Sequence, residues 1–63
     1  MGKRIRELRD QHRWTQERLA EAATVDRSYL AGIESGKRNP SVRNLLKLAN
    51  ALGVRICDFF ERE

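Results

Sequence analysis

Residue types on which enzymes and metal sites depend are scarce in this chain. Its 63 residues include one Cys and one His, so neither an internal disulfide nor a zinc site of the usual spacing is expected. We find no Ser/His/Asp or Cys/His set and no glycine-rich phosphate loop in the sequence. The composition therefore argues against an enzyme, and we expect no catalytic residues, no metal site and no cofactor.

Long apolar segments are also missing. No apolar run approaches the roughly 18 residues that a membrane-spanning helix requires, and no signal-peptide pattern opens the chain. The single cysteine, Cys57, lies in an apolar cluster and is expected to be a small core residue, which fits a reducing compartment. We therefore expect a cytoplasmic protein that makes no membrane contact.

Acidic residues are absent from one long stretch, between Glu34 and Asp58. The same stretch carries the basic residues Lys37, Arg38, Arg43, Lys47 and Arg55. The whole chain has 13 Lys and Arg against 9 Asp and Glu, a formal net charge of +4. A basic surface without acidic residues suits a polyanion such as nucleic acid. A solvated helix face is the alternative where no DNA-binding pattern accompanies it.

Helical periodicity accounts for nearly all of the chain. Apolar residues recur three or four positions apart, as on the buried face of a helix. This spacing predicts a first helix from about Lys3 to His12, a fourth after Ser41 and a short fifth beginning near Ile56. Residues 15–36 read as two short helices joined by a tight turn. We expect one all-α domain of five helices over residues 1–63, too small for a deep catalytic cavity.

Polar residues are placed to begin three of the helices. Thr15, Asp26 and Ser41 each precede a periodic segment, and their side chains can accept hydrogen bonds from the first backbone N–H groups of a helix. The apolar residues of 15–36 are spaced so that the two central helices pack against each other at an angle. One face of the second of these helices then stays free, and it fits a DNA major groove, about 12 Å wide.

Six motifs follow one another in order along the chain. They are Ile5-x-x-Leu8-Arg9, Trp14-Thr15-Gln16-x-x-Leu19-Ala20, Ser28-Tyr29-Leu30-x-x-Ile33-Glu34-x-Gly36, Asn39-Pro40-Ser41, Leu45-x-x-Leu48-Ala49-x-x-Leu52-Gly53-Val54 and Phe59-Phe60. Together they cover about residues 5–60 and resemble the lambda-repressor-like helix-turn-helix family, also called the Cro or xenobiotic-response-element type. The opening of the third helix, Asp26-Arg27-Ser28-Tyr29, also resembles small controller proteins of restriction–modification systems.

The resemblance implies a DNA-binding domain whose third helix enters the major groove. Arg27 has the reach for a bidentate hydrogen bond to guanine, and Ser28 and Gly32 correspond to positions that contact bases in the family. Contacts to DNA phosphates are expected from Thr15, Gln16, Ser35, Lys37, Arg38, Asn39 and Arg43. For Arg27, a phosphate contact or a free surface charge is the alternative, because most protein–DNA hydrogen bonds go to the backbone.

Other positions concern stability rather than DNA. Arg9 and Glu34 match family positions that pair with each other, so a structural ion pair is expected. Thr24 and Arg13 stand where the family commonly has Gly, and Arg55 stands where Ser or Thr often caps the last helix. If the backbone is left-handed at Thr24, a β-branched residue there is strained by about 1 kcal/mol or more.

We therefore predict a sequence-specific binder of duplex DNA that regulates transcription as a homodimer on a near-palindromic site. The dimer surface is expected at the fifth helix and the end of the fourth, with Leu46, Ile56 and Phe60 as candidates. Packing within one chain is the alternative for these three residues. No small-molecule effector is expected. The alternative function is a protein-interaction module, such as an antitoxin-like partner of another protein.

Overall fold

The computed structural model describes residues 1–60 of the chain. They form four α-helices and a 3-10 helix, namely α1 (Gly2–Gln11), α2 (Gln16–Ala23), α3 (Arg27–Glu34), α4 (Val42–Leu52) and η1 (Ile56–Phe60). No strand occurs among the described residues, which confirms the all-α prediction. The expected fifth helix is a 3-10 helix and not an α-helix. The last three residues of the predicted domain 1–63 lie outside the described part.

The core is one apolar cluster to which every helix contributes. Its largest fully buried side chains are Phe59, Ile5, Leu19, Leu30, Ile33 and Leu48. The helix α2 packs against both α3 and α4, and α1 packs against α3 and η1. Burying a side chain of this size stabilises the fold by about 1.5–3 kcal/mol. None of the helices within residues 1–60 is long and apolar enough to cross a membrane.

Two of the three predicted N-caps are confirmed. The hydroxyl of Thr15 accepts a hydrogen bond from the N–H of the third residue of α2 at 3.1 Å, and the hydroxyl of Ser41 does the same for α4 at 3.2 Å. The prediction for Asp26 is wrong, because its side chain makes no capping bond. Its carboxylate instead accepts a hydrogen bond from the hydroxyl of Ser28 at 2.7 Å, a local bond that competes with capping.

The chain reverses direction through left-handed residues, two of which carry side chains. Arg13, after α1, has a φ of 60°, and Thr24, between α2 and α3, has a φ of 59°. Gly36 and Gly53 occupy the two corresponding positions after α3 and α4, with φ values of 83° and 71°. Glycine adopts this conformation without strain, whereas other residues lose about 1–2 kcal/mol there. The strain considered for Thr24 is therefore present.

The segment η1 exposes a residue that the sequence placed in the core. Cys57 is exposed, so the prediction that it is a core residue is wrong, whereas Phe59 of the same segment is buried. In a 3-10 helix, residues three apart share a face, which places Ile56 with Phe59 and Cys57 with the exposed Phe60.

The start of η1 is capped from inside the segment. The side chain of Arg55 is not suited to capping, as the sequence indicated. The backbone N–H of Arg55 instead donates a hydrogen bond to the carboxylate of Asp58 at 3.0 Å. This bond satisfies one of the backbone donors that the beginning of a helix leaves free. A Ser or Thr at position 55 is therefore not needed for the segment to form.

Replacing Thr24 with Gly is expected to raise the free energy of unfolding by about 0.5–1 kcal/mol. Relief of left-handed strain, about 1–2 kcal/mol, exceeds the entropy that Gly adds to the unfolded chain, about 0.4–1 kcal/mol. Urea denaturation measures the difference. Ala22→Gly, at an exposed position inside α2, is the matched control and is expected to lower stability. Equal losses in both variants would contradict strain at Thr24.

Candidate nucleic-acid interface

A charged pair lies at the junction of α1, α2 and α3. The side chain of Glu34, the last residue of α3, is 4% exposed and accepts hydrogen bonds from Nε of Arg9 at 2.8 Å and from Nη2 at 3.0 Å. The guanidinium also donates to the backbone oxygen of Trp14 at 2.8 Å. The hydrogen bonds to Glu34 and its negative charge raise the pKa of Arg9 against the opposing effect of burial. The structure thus brings together the two residues expected to pair.

Gln16, the first residue of α2, completes this cluster. Its Nε2 donates a hydrogen bond to Oε1 of Glu34 at 3.0 Å. One carboxylate therefore accepts bonds from α1 and from α2 while belonging to α3. The first turn of α2 is fixed relative to α3 by this arrangement, because each bond requires a narrow range of distance and angle.

An open groove of about 570 Å³ lies between the beginnings of α2 and α3. It is lined by Arg9, Thr15, Gln16, Glu17 and Arg27. Three expected DNA contacts, Thr15, Gln16 and Arg27, are therefore brought together. The Thr15 oxygen accepts the capping bond, but its hydroxyl hydrogen remains available to a phosphate oxygen. The acidic Glu17 beside them was not anticipated.

A second groove, of about 370 Å³, borders the other residues at the start of α3. It is lined by Thr24, Val25, Asp26, Ser28, Tyr29, Arg38 and Asn44. Two expected contacts, Ser28 and Arg38, share this groove. Three polar residues in it, Asp26, Tyr29 and Asn44, were not expected to lie together in a groove at the start of α3. Asn44 lies in α4, and no signal in the sequence relates it to residues 15 positions earlier.

Tyr29 connects three elements within the second groove. Its half-buried ring packs against the core, and its hydroxyl accepts a hydrogen bond from Nδ2 of Asn44 at 3.0 Å. The central carbon of the Arg38 guanidinium lies 5.6 Å from the ring centroid, a distance at which a cation is attracted to an aromatic face.

Gly32 is covered by another residue. A Cβ atom at this position would lie 2.7 Å from Cγ of Arg38, so the Arg38 side chain occupies the space beside the Gly32 α carbon. The backbone N–H groups of Lys37 and Arg38 both donate to the carbonyl of Gly32, at 2.9 and 3.1 Å. The expected base contact at Gly32 would require Arg38 to move, which sequence comparison with the family did not indicate.

The remaining expected phosphate contacts lie on the surface after α3. Ser35, Lys37, Asn39 and Arg43 are all exposed. The hydroxyl of Ser35 donates to the carbonyl of Gly32 at 3.1 Å, so its hydrogen must leave that bond before it reaches a phosphate. Arg43 lies in the first turn of α4, where the helix dipole adds positive potential.

The three dimer candidates differ in exposure. Leu46 is 47% exposed and Phe60 is 56% exposed, whereas Ile56 is half-buried against the core. Val42, one helical turn before Leu46, is 67% exposed and was not anticipated. Residues 1–60 contain no group of three or more His, Cys, Asp or Glu side chains that could hold a metal ion.

Comparison with known proteins adds a family and several relatives. Residues 5–59 match the family model described as helix-turn-helix. The immunity repressor protein of Bacillus phage phi105 is 45% identical over 56 residues, which are 89% of this chain and 39% of the phage protein. The chain thus spans well under half the length of that relative.

Solved structures are similar over almost the whole chain. The restriction–modification controller protein C.AhdI from Aeromonas hydrophila superposes with a TM-score of 0.92 at 47% identity, covering 94% of this chain and 89% of that one. SinR, a master regulator for biofilm formation crystallised in complex with DNA, superposes with a TM-score of 0.91 at 34% identity, covering 95% and 97%.

Neutralising Glu34 by Glu34→Gln is expected to lower the free energy of unfolding by about 3 kcal/mol, since it leaves the nearly buried Arg9 with only the exposed carboxylate of Asp10, at 3.6 Å, as a counter-charge. Urea denaturation measures this loss. Glu21→Gln is the matched control, because Glu21 pairs with Arg18 at 3.6 Å where both side chains are mostly exposed. That change is expected to stay within about 0.5 kcal/mol. Similar losses for both variants would show that the buried pair does not hold the three helices.

Proposed function

The chain belongs to the helix-turn-helix family, and on this basis we propose that it binds duplex DNA sequence-specifically and regulates transcription in the cytoplasm. It is not an enzyme, since its relatives are a repressor, a controller protein and a regulator. The observation that carries the proposal is the set of exposed polar and basic side chains around the start of α3. The structure of SinR with DNA, a relative with the same fold, supports it.

Arg27 is the proposed reader of guanine. Its side chain is exposed in the first turn of α3 and borders the groove that contains Gln16. A guanidinium bonded to both O6 and N7 of guanine discriminates against other bases by about 1–3 kcal/mol. We place α3 in the major groove with its first turn toward the bases, because its last turn is held by the buried Glu34.

Ser28 is proposed to read a different chemical group. Its hydroxyl hydrogen is directed to the carboxylate of Asp26, so the oxygen atoms of both residues face a base as hydrogen-bond acceptors. In the major groove, the donors available to them are the amino groups of cytosine and adenine. The pair therefore favours an amino-bearing base near the guanine that Arg27 contacts.

The DNA backbone is proposed to pass on both sides of α3. At the start of α2, Nε2 of Gln16 uses one hydrogen on Glu34 and keeps a second for a phosphate, beside the positive end of the helix. Thr15 adds its hydroxyl hydrogen there. After α3, the phosphate contacts come from exposed residues of the loop 35–41 and of α4, namely Ser35, Lys37, Arg38, Asn39 and Arg43.

A homodimer is the proposed binding form. Leu46 and Phe60 expose apolar surface on α4 and η1, elements that pack against each other, and a second copy would bury it. Ile56 contributes less because its side chain already packs against the core. Two copies related by two-fold symmetry would present two α3 helices to half-sites about 34–36 Å apart.

Selection from random duplex DNA is expected to return a motif with two-fold symmetry. Arg27→Ala is expected to remove a guanine preference from each half-site, at a cost of about 1–3 kcal/mol. Arg43→Ala is the matched control, expected to weaken binding to all sequences and to reduce the salt dependence by about one unit of slope per subunit. An unchanged motif for Arg27→Ala would reject Arg27 as a reader. No retained DNA would reject the proposed function.

Leu46→Glu is expected to convert the protein to a monomer, because a charge cannot be buried in an apolar contact without a partner. Sedimentation velocity at micromolar concentration, with and without the selected duplex, measures the change. Gln11→Glu adds the same charge at an exposed position outside the apolar surface and is expected to leave assembly unchanged. A wild-type protein that binds its full site as a monomer would contradict the dimer.

A further inference from the structure

Contacts from α3 hold the side chain of Arg38 in a defined position. The stem of Arg38 passes over Gly32. A Cβ atom added to Gly32 would lie 2.7 Å from Cγ of Arg38 and 3.3 Å from Cβ of Arg38. The guanidinium lies over the ring of Tyr29, and Asn44 donates a hydrogen bond to the hydroxyl of that ring. We refer to the surface formed by Gly32 and Tyr29 as the Arg38 platform.

The platform leaves the hydrogen-bonding edge of the guanidinium free. The contact with the Tyr29 ring attracts the charge of the guanidinium and uses none of its N–H groups as hydrogen-bond donors. Arg38 is exposed and lines the groove that also contains Ser28. The charge is therefore held beside the residues proposed to contact DNA, although the stem is packed against α3.

We propose that Gly32 and Tyr29 are positioning residues that hold Arg38 ready to contact a DNA phosphate. This inference rests on the proposed function. In this role the absence of a side chain at Gly32 leaves room for the stem of Arg38, and Gly32 itself contacts no base. A long flexible side chain loses much rotamer freedom when it is fixed in a complex, so an arginine that is already held before binding loses less.

The test is a double-mutant cycle on affinity for one duplex selected by the wild-type protein, at fixed salt. Gly32→Ala is expected to weaken binding about three- to tenfold, the effect of freeing one long side chain. Arg38→Ala is expected to weaken it about tenfold or more. The double variant is expected to bind like Arg38→Ala, within about twofold. If the two losses multiply, Gly32 contacts DNA directly and the proposal is overturned.

Stability separates positioning from damage to the helix. Alanine favours a helix interior over glycine by about 1 kcal/mol, which works against the cost of moving the Arg38 stem. Rotation about the Cα–Cβ bond of Arg38 moves its Cγ away from the new methyl group, and its Cβ, at 3.3 Å, has to give way by a few tenths of an ångström. Gly32→Ala is therefore expected to keep or raise the melting temperature while it weakens binding. A fall in melting temperature that accompanies the loss of binding would overturn the proposal. Arg38→Met, which keeps the stem and removes the charge, is expected to keep stability and lose affinity.

Nuclear magnetic resonance tests the platform without DNA. Protons of the Arg38 side chain are expected to be shifted upfield by the Tyr29 ring in the free wild-type protein, and to move toward random-coil values in Gly32→Ala. If the wild-type protein binds its duplex but lacks this shift, the platform proposal fails while the proposed function stands. If the shift is present and no duplex is bound, the proposed function fails and the DNA role of the platform fails with it.

Discussion

The carboxylate of Glu34 is the point on which the arrangement of α3 depends. The helix α3 has eight residues, fewer than the roughly 12–15 that an isolated helix needs in water, so tertiary contacts must hold it. Apolar packing supplies most of the energy but little direction. The bonds from Arg9 and Gln16 add direction, because each joins a specific atom of another helix to the end of α3. A buried pair of this kind adds little net stability but costs much when one partner is removed.

Local signals in the sequence predicted the elements of this fold well, and contacts between elements poorly. Caps at Thr15 and Ser41 were predictable because each depends on atoms within three residues. Asp26 failed as a cap because a nearby hydroxyl competes for its carboxylate, which a residue preference does not show. Cys57 failed because apolar neighbours in the sequence do not show which side of the last segment faces the core, and Phe59 occupies that side.

In the candidate site, too, contacts between distant residues had no local signal in the sequence. The pairing of Arg9 with Glu34, 25 positions apart, was expected from the family resemblance alone and had no local signal. The cover of Arg38 over Gly32 was not expected, because it depends on the path of the loop after α3. A family correspondence assigns a role to a position, whereas the neighbouring side chain decides whether that position can be reached. At Gly32 the two disagree, since the position expected to contact a base is occupied by an arginine stem.

The helix α4 connects the proposed DNA contacts to the proposed dimer surface within a single turn. Successive residues of a helix point about 100° apart, so four consecutive side chains can each face a different part of the molecule or its surface. Arg43 is exposed after the loop 35–41, and Asn44 donates a hydrogen bond to Tyr29 of α3. Leu45 is buried in the core, and Leu46 is exposed on the proposed dimer surface. Because α4 packs against α2, and α2 packs against α3, these four positions are joined to α3 through packed helices. In a dimer, the distance between the two α3 helices would therefore be set by α4 and the helices packed against it, as recognition of half-sites at a fixed spacing requires.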